Sequence, residues 1–368
     1  MAPQIYLDHN ATTCLRPEAA AAIADAVKMI GNGSSVHAYG RKVRSAIEEA
    51  RDGIAALTNA DRDSVVFTSG GTEANNQAIL GSGARRVLVS AIEHPAIMNV
   101  RDDAEVVPVD ENGRVDLAAL RELLGENAEG ALVCIMLANN ETGVIQPVRE
   151  ASEIVHGAGA RLHCDAVQAP GKIKIDISAL GADSLALSAH KIGGAAGAGA
   201  LISADGTPAS SPIMKGGGQE GYRRPGTENL LGIMAFGAAA RAVVEAGADE
   251  ASALMALRDD LESRLPNDVR IAGCNAERLP NTSNIVLPGI DSETQVMALD
   301  LAGIAVSAGA ACSSGKVRRS AVLAAMGYDD TEASSAIRIS FGWNSTSDDV
   351  DAFLAAWSKV AERRPAAA

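Results

Sequence analysis

Charge and nucleophiles stand in this sequence at the ends of short apolar runs, where water solvates them poorly. Ser184-Leu185-Ala186-Leu187-Ser188 is followed by Ala189, His190 and Lys191, then by Gly193, Gly194 and further glycines through Gly199. Desolvation disfavours the charged form of such an amine, lowers its pKa and frees it for Schiff-base chemistry. For this lysine alone, a side chain that reaches out to solvent is the plainer reading. Arg161-Leu162-His163-Cys164 runs into Asp165, with Gln168 three residues on. A carboxylate there needs a cation, which a protonated ring nitrogen of a cofactor would supply; a helix N-cap is the alternative. Val65-Val66-Phe67-Thr68 leads into Ser69-Gly70-Gly71-Thr72. Two glycines and a hydroxyl at the start of a helix form a phosphate cradle, or an ordinary cap. Together, a phosphate cradle, an acid for a ring nitrogen and a desolvated lysine are the set that pyridoxal 5'-phosphate requires.

The cysteines divide by surroundings. Cys14, Cys134, Cys164, Cys274 and Cys312 are an odd number, far apart, with no C-x-x-C. That excludes a compact disulfide scaffold and the usual zinc pairs, and it fits a reducing compartment. Cys134 and Cys164 sit in apolar strand runs, where a thiol behaves as a small hydrophobe. Cys14 and Cys274 read as surface or semi-buried thiols. Cys312 lies among small residues in Ser307-Ala308-Gly309-Ala310-Ala311-Cys312-Ser313-Ser314-Gly315. Such a segment packs loosely, so its thiol is expected to be mobile and exposed.

These residues need a scaffold. Apolar runs at 64–68, 86–90, 131–137, 161–164 and 184–188 read as strands, and 73–80, 117–124 and 148–157 as helices between them. Continuously apolar strands separated by helices imply a mainly parallel sheet covered on both faces. In such a sheet ligands bind beyond the carboxyl ends of the strands. Near residue 240 the texture changes. A long helical stretch over 230–265 leads to strand-like runs at 268–271, 284–287 and 337–341. The expected architecture is α/β: a large domain over 14–245, with 1–13 and 246–368 forming a smaller α+β domain that carries Cys312.

Composition narrows the partners. The chain has 368 residues, 47% hydrophobic and 21% charged, an ordinary globular balance. With Lys+Arg 32 against Asp+Glu 46, the net charge is −14. That argues against nucleic acid and anionic membrane surfaces as partners. The N-terminus has no signal-peptide pattern, and the apolar run 230–240 stops at Arg241, short of the roughly 20 residues that span a bilayer. A cytoplasmic protein is expected. Gly216-x-Gly218-x-x-Gly221 formally matches a dinucleotide fingerprint, but the Tyr-Arg-Arg-Pro that follows does not open the required helix. His163 beside Cys164 is no metal pair, because neighbouring strand residues face opposite ways.

The motifs carry a resemblance. YLDHNATT, NGSSVHAYGR, FTSGGTEANN, EHPA, ANNETGVIQP, HCDAVQAPGK, SAHKIGG, GGGQEGYRRPGTEN, SAGAACSSG and IRISFGWN, in that order, resemble the cysteine desulfurases of the NifS/IscS type, within the fold-type I pyridoxal-phosphate enzymes. The resemblance implies that Lys191 holds pyridoxal phosphate as a Schiff base, Asp165 pairs with its ring nitrogen and Gln168 bonds its ring hydroxyl. It implies that His94 stacks on the ring and serves in proton transfer, and that Gly71, Thr72, Ser188 and His190 hold the phosphate. Thr227 would reach the phosphate of a neighbouring subunit, making a homodimer. Asn140 and Arg338 would hold the carboxylate of L-cysteine. Cys312 would take the sulfur as a persulfide, leave L-alanine, and pass the sulfur to an iron–sulfur scaffold or another thiolation acceptor. No resident metal is implied, although the Cys312 persulfide would be able to touch a forming cluster. Relatives often read Ser-Gly-Ser-Ala-Cys where this chain has Ala308-Gly309-Ala310-Ala311-Cys312, a proline where it has Gly33, and Gly-Pro where it has Gly194-Ala195. The chain also ends earlier than relatives that dock a scaffold through a C-terminal extension, so Arg318 and Arg319 are the candidates for a local basic patch. A selenocysteine lyase or another class V aminotransferase is the competing enzyme reading. A non-catalytic sulfur-carrying subunit is the competing reading of another class.

Overall fold

The computed structural model describes residues 4–204, 210–308 and 319–363. The chain opens with Ile5–Tyr6 (β1), Pro17–Ala26 (α1) and Ala38–Thr58 (α2). It then alternates Val65–Thr68 (β2), Gly71–Leu80 (α3), Arg86–Ser90 (β3), Pro95–Met98 (α4), Glu105–Val107 (β4) and Leu117–Leu124 (α5). Ala131–Cys134 (β5), Val148–Gly157 (α6), Arg161–Asp165 (β6), Ile177–Leu180 (α7), Ser184–Ser188 (β7) and Gly199–Ser203 (β8) continue the pattern. Beyond Leu230–Ser263 (α8) come Arg270–Ile271 (β9), Thr282–Val286 (β10), Ser292–Leu301 (α9) and Ile304–Ala305 (β11). Ala321–Ala325 (α10), Asp330–Ser334 (α11), Ala336–Ser340 (β12) and Ser347–Ala361 (α12) complete the order.

Seven strands form one sheet in the order β2-β8-β7-β6-β5-β3-β4. Only β8 runs against the rest, antiparallel to both β2 and β7. A parallel return would need a crossover of about a dozen residues or more. The segment 189–198 is shorter and holds only a single 3-10 turn, so the chain comes back antiparallel. That turn, Ala189–Lys191, sits where β7 ends. The carboxyl ends of β2, β3, β6 and β7 therefore place Thr68, Ser90, Asp165 and Ser188 along one edge of the sheet.

The sheet is sandwiched as its apolar strands require. In α2, Val43, Ile47, Ala50, Ile54 and Leu57 repeat at helical spacing and are buried. The helix ends at Asn59, whose φ of 51° is a left-handed cap bonded to the Ala55 carbonyl. α8 crosses α2 closely: a Cβ on Gly237 would lie 2.4 Å from Ala50 Cα. By length and composition α8 is long and apolar enough to cross a membrane, contrary to the reading of 230–240 alone. Its Ile233, Phe236, Ala239 and Val243 instead fill the main core. The helix breaks at Gly247, with φ 56° and ψ −136°.

A second core gathers Leu7, Ile285, Ile337, Phe353 and Trp357 around the antiparallel β12-β10-β9 sheet and the parallel β1-β11 pair. The N-terminal strand thus belongs with the end of the chain. Gly303 O and Ala305 O accept from Ile5 N and Leu7 N, which carries residues 8–13 to the edge of the large sheet.

One strand is shorter than its apolar run. β5 ends at Cys134 rather than Leu137. Ile135 N and Leu137 N still bond β6-side carbonyls at His163 and Asp165. On the β3 side, however, Met136 N turns to Glu93 Oε1 at 2.7 Å, so a buried side chain replaces the ladder there.

Candidate active site

α3 begins at Gly71, and no side chain among the described residues caps it. Its first N–H groups are open to an anion, and the helix dipole favours negative charge there. Thr72 is its second residue, so its hydroxyl is not the cap. Gly71 is required by crowding: a Cβ there would meet Val167 Cγ2 at 2.7 Å and Ser188 Cβ at 3.6 Å. The helix start, Thr72, Ser188 and His190 thus share one corner. The uncapped N–H groups and neighbouring hydroxyls fit a phosphate group.

Asp165 is buried at the end of β6. Its Oδ1 accepts from Val167 N at 3.0 Å and its Oδ2 from Asn75 Nδ2 at 2.7 Å. Burial pushes this carboxyl up, opposed by those donors and by His94 and Lys191. A cation bound beside it would restore its charge, as a protonated ring nitrogen does. Behind it, Asn75 Oδ1 lies 2.9 Å from His163 Nε2, and His163 Nδ1 lies 2.8 Å from Ser184 Oγ. Asn75 spends its amino group on Asp165, so its oxygen must accept and Nε2 of His163 carries the proton. Burial holds His163 neutral, at about 4.

Lys191 Nζ donates to Asn10 O at 2.5 Å and Ala11 O at 2.9 Å. Burial first, then Arg338, brings its pKa down to about 8, with Asp165 and Asp8 opposing. Its neutral, nucleophilic form is therefore reached at a far lower pH than for an exposed lysine, as Schiff-base chemistry needs. His94 caps α4, with Nδ1 accepting from Ala96 N at 3.1 Å. Burial lowers its pKa, and Asp165 pulls the other way. His190 is held at about 4 by burial and by Lys191. Gln168 donates to Asn10 O at 2.9 Å.

Arg338 is buried on β12, which the second core brings to this edge. It donates to Asn140 O at 2.9 Å and to Asp8 Oδ1 at 2.6 Å, while its Nε is buried without an acceptor among the described residues. The guanidinium is therefore not vacant: a substrate carboxylate would share it with Asp8 or displace Asp8. Asn140 meets this cluster through its carbonyl. Thr227 is not gathered in. It is exposed, and no hydrogen bond joins it to the Lys191 cluster among the described residues; its neighbour Arg224 pairs with Glu73 on α3 at 2.8 Å.

Cys312 and Arg318 lie outside the described residues. Arg319 is paired with Asp330 at the surface. Cys134 and Cys164 are buried, Cys14 is half-buried and Cys274 exposed, as their surroundings in the sequence imply. Sequence reasoning passed over Asp8, Asn10, Asn75 and Glu93, although each lies inside a quoted motif. The available signal was polarity at positions the pattern makes interior: Asn75 is one turn past Gly71, on the face of α3 that meets the sheet.

A mainly parallel sheet with a lysine after one strand, an acid at the end of the next and an uncapped helix start opposite is the fold-type I architecture of pyridoxal-phosphate enzymes. The solved structure of a NifS-like protein from Rickettsia africae superposes with a TM-score of 0.90 at 37% identity, covering 98% of this chain and 99% of the other. Residues 5–353 match the aminotransferase class-V family. A cysteine desulfurase of Cereibacter sphaeroides is 42% identical over 370 residues, covering 95% of this chain and 94% of its own. A cysteine desulfurase IscS of Dictyoglomus turgidum is 37% identical over 381 residues, covering 99% and 96%. The chain belongs to the class-V aminotransferase family.

Proposed function

We propose that the chain is an L-cysteine desulfurase that works through pyridoxal phosphate and divides as 14–245 and 1–13 with 246–368. The observation that carries the chemistry is the Lys191 amine, at about 8, which acts on the buried Asp165 carboxyl and follows by three residues the Ser188 that meets the uncapped start of α3. Relatives named cysteine desulfurase carry the choice of substrate.

Gly71, Thr72, Ser188 and His190 would hold the phosphate, Asp165 and Gln168 the ring, and Lys191 the aldehyde carbon. Bound pyridoxal phosphate supplies an electron sink for a carbanion at the substrate Cα. Lys191 would take the Cα proton, and His94 would return a proton. Arg338 and Asn140 bind the substrate carboxylate; the unmet Nε of Arg338 is a donor suited to it. The Cys312 thiolate attacks the substrate sulfur. A sulfur–sulfur bond forms as the carbon–sulfur bond breaks, and the electron pair left on carbon is protonated to give L-alanine. The persulfide then passes to an iron–sulfur scaffold or another thiolation acceptor. Thr227 acts across a homodimer, and the enzyme works in the cytoplasm.

Purified protein loaded with pyridoxal phosphate and given L-cysteine and a reductant tests this. L-Alanine and sulfide should appear in equal amounts. Turnover of selenocysteine with none of cysteine would favour the lyase reading instead.

A further inference from the structure

Lys172 is a buried lysine at this site that the chemistry above leaves without a task. Its Nζ donates to Asn10 Oδ1 at 3.1 Å and Gln168 Oε1 at 3.0 Å. Both acceptors are neutral amide oxygens. Glu250, the acid that acts on it from further away, is itself bound by Arg16 at 2.6 Å. Burial, Lys191 and Arg338 all push Lys172 toward the neutral amine. A neutral amine has two N–H donors, and two amide oxygens satisfy them.

Asn10 is the joint. Its backbone N donates to Ser340 Oγ at 2.9 Å and its Nδ2 to Thr282 Oγ1 at 2.9 Å, so β10 and β12 hold it. Its carbonyl accepts both Lys191 Nζ and Gln168 Nε2. A backbone carbonyl only accepts. Gln168 must therefore turn its amino group to Asn10 and its oxygen to Lys172. That leaves the second N–H of Gln168 as the group it presents to a ligand.

We propose that Lys172 is a positioning residue: anchored on the Asn10 side-chain oxygen, it holds Gln168 as a hydrogen-bond donor toward the cofactor ring. This rests on the pyridoxal-phosphate reading of the site. Lys172→Met keeps most of the aliphatic side chain and removes the donors, so Gln168 Oε1 loses its partner and the amide is held only at its Asn10 end.

The test is a double-mutant cycle on the full chain, read by the dissociation constant for pyridoxal phosphate and by the absorbance band of the bound cofactor. Lys172→Met should weaken retention about tenfold, roughly one well-made hydrogen bond, and shift the band. In a Gln168→Ala background the same change should cost no more than about twofold further, because the two act as one unit. Lys172→Gln keeps two donors without charge and should hold the cofactor within about threefold of the parent chain; it also carries the test if Lys172→Met does not fold. Wild-type retention and band in Lys172→Met, an undiminished loss in the Gln168→Ala background, or a tenfold loss in Lys172→Gln overturns the proposal. A parent chain that takes up no pyridoxal phosphate overturns the reading of the site instead.

Discussion

Asn75 Nδ2 lies 2.7 Å from Asp165 Oδ2, which ties the interior face of α3 to the acid at the end of β6. The same amide accepts from His163, itself bonded to Ser184. The carboxyl that faces the ring site is thus oriented by a chain of buried neutral groups. Asn75→Ala should loosen it. Losing a hydrogen bond to a buried carboxyl costs roughly 1–3 kcal/mol, so pyridoxal-phosphate retention should fall about tenfold or more. Equilibrium dialysis checks this; unchanged retention would mean that Asp165 needs no support.

Lys191 should titrate near 8 in cofactor-free protein. Its rate of modification by an amine reagent, read by peptide mass spectrometry, should rise with pH and reach half its plateau there. Exposed lysines reach it near 10.4. Since Arg338 depresses Lys191, Arg338→Met should move the midpoint upward. A midpoint shared with the exposed lysines would remove the basis for calling this amine pre-activated.

Acid should destabilise the fold through its buried imidazoles. His9 and His163 are held at about 4 by burial, below the ordinary 6.5. Between those values the unfolded chain binds protons that the folded one refuses, so stability falls as pH drops from about 6.5 to about 4. His190, also at about 4, is a third such imidazole, and His163→Gln removes one of the three. Denaturant midpoints measured across this window should slope less steeply for the variant; parallel slopes would contradict it.

Glu93 works in the opposite direction. Fully desolvated, it is raised from 4.5 to about 8, and its Oε2 has no partner among the described residues. Here the folded chain binds the extra proton, so stability falls as pH rises from about 4.5 to about 8. Glu93→Gln should flatten that slope in the same denaturation experiment. A variant that keeps the parent's slope would show that Glu93 stays ionised.

The main elements of the large sheet were legible because burial on both faces writes itself as apolar runs: 86–90 and 184–188 coincide with β3 and β7, and 117–124 and 148–157 with α5 and α6. The run 131–137 misled because Glu93, forty residues earlier, takes the Met136 N–H. Lys191 and Asp165 were readable as charges at strand ends. Asn10, Asn75 and Lys172 were not, since their partners come from other elements and only the folded chain brings them together. Asp8 was hidden for the same reason: β1 is two residues long, and it reaches Arg338 only because β1 pairs with β11 and Asp8 itself bridges Ser340 on β12.

The central claim is that sulfur leaves L-cysteine onto Cys312. The direct measurement is one turnover with sulfur-labelled L-cysteine, without reductant, followed by mass spectrometry of the peptide that carries Cys312. The account predicts one added labelled sulfur on Cys312, L-alanine in equal amount, and neither product in Cys312→Ala, whose bound-cofactor absorbance remains. Full alanine production by Cys312→Ala, with no labelled cysteine anywhere in the parent chain, would contradict it.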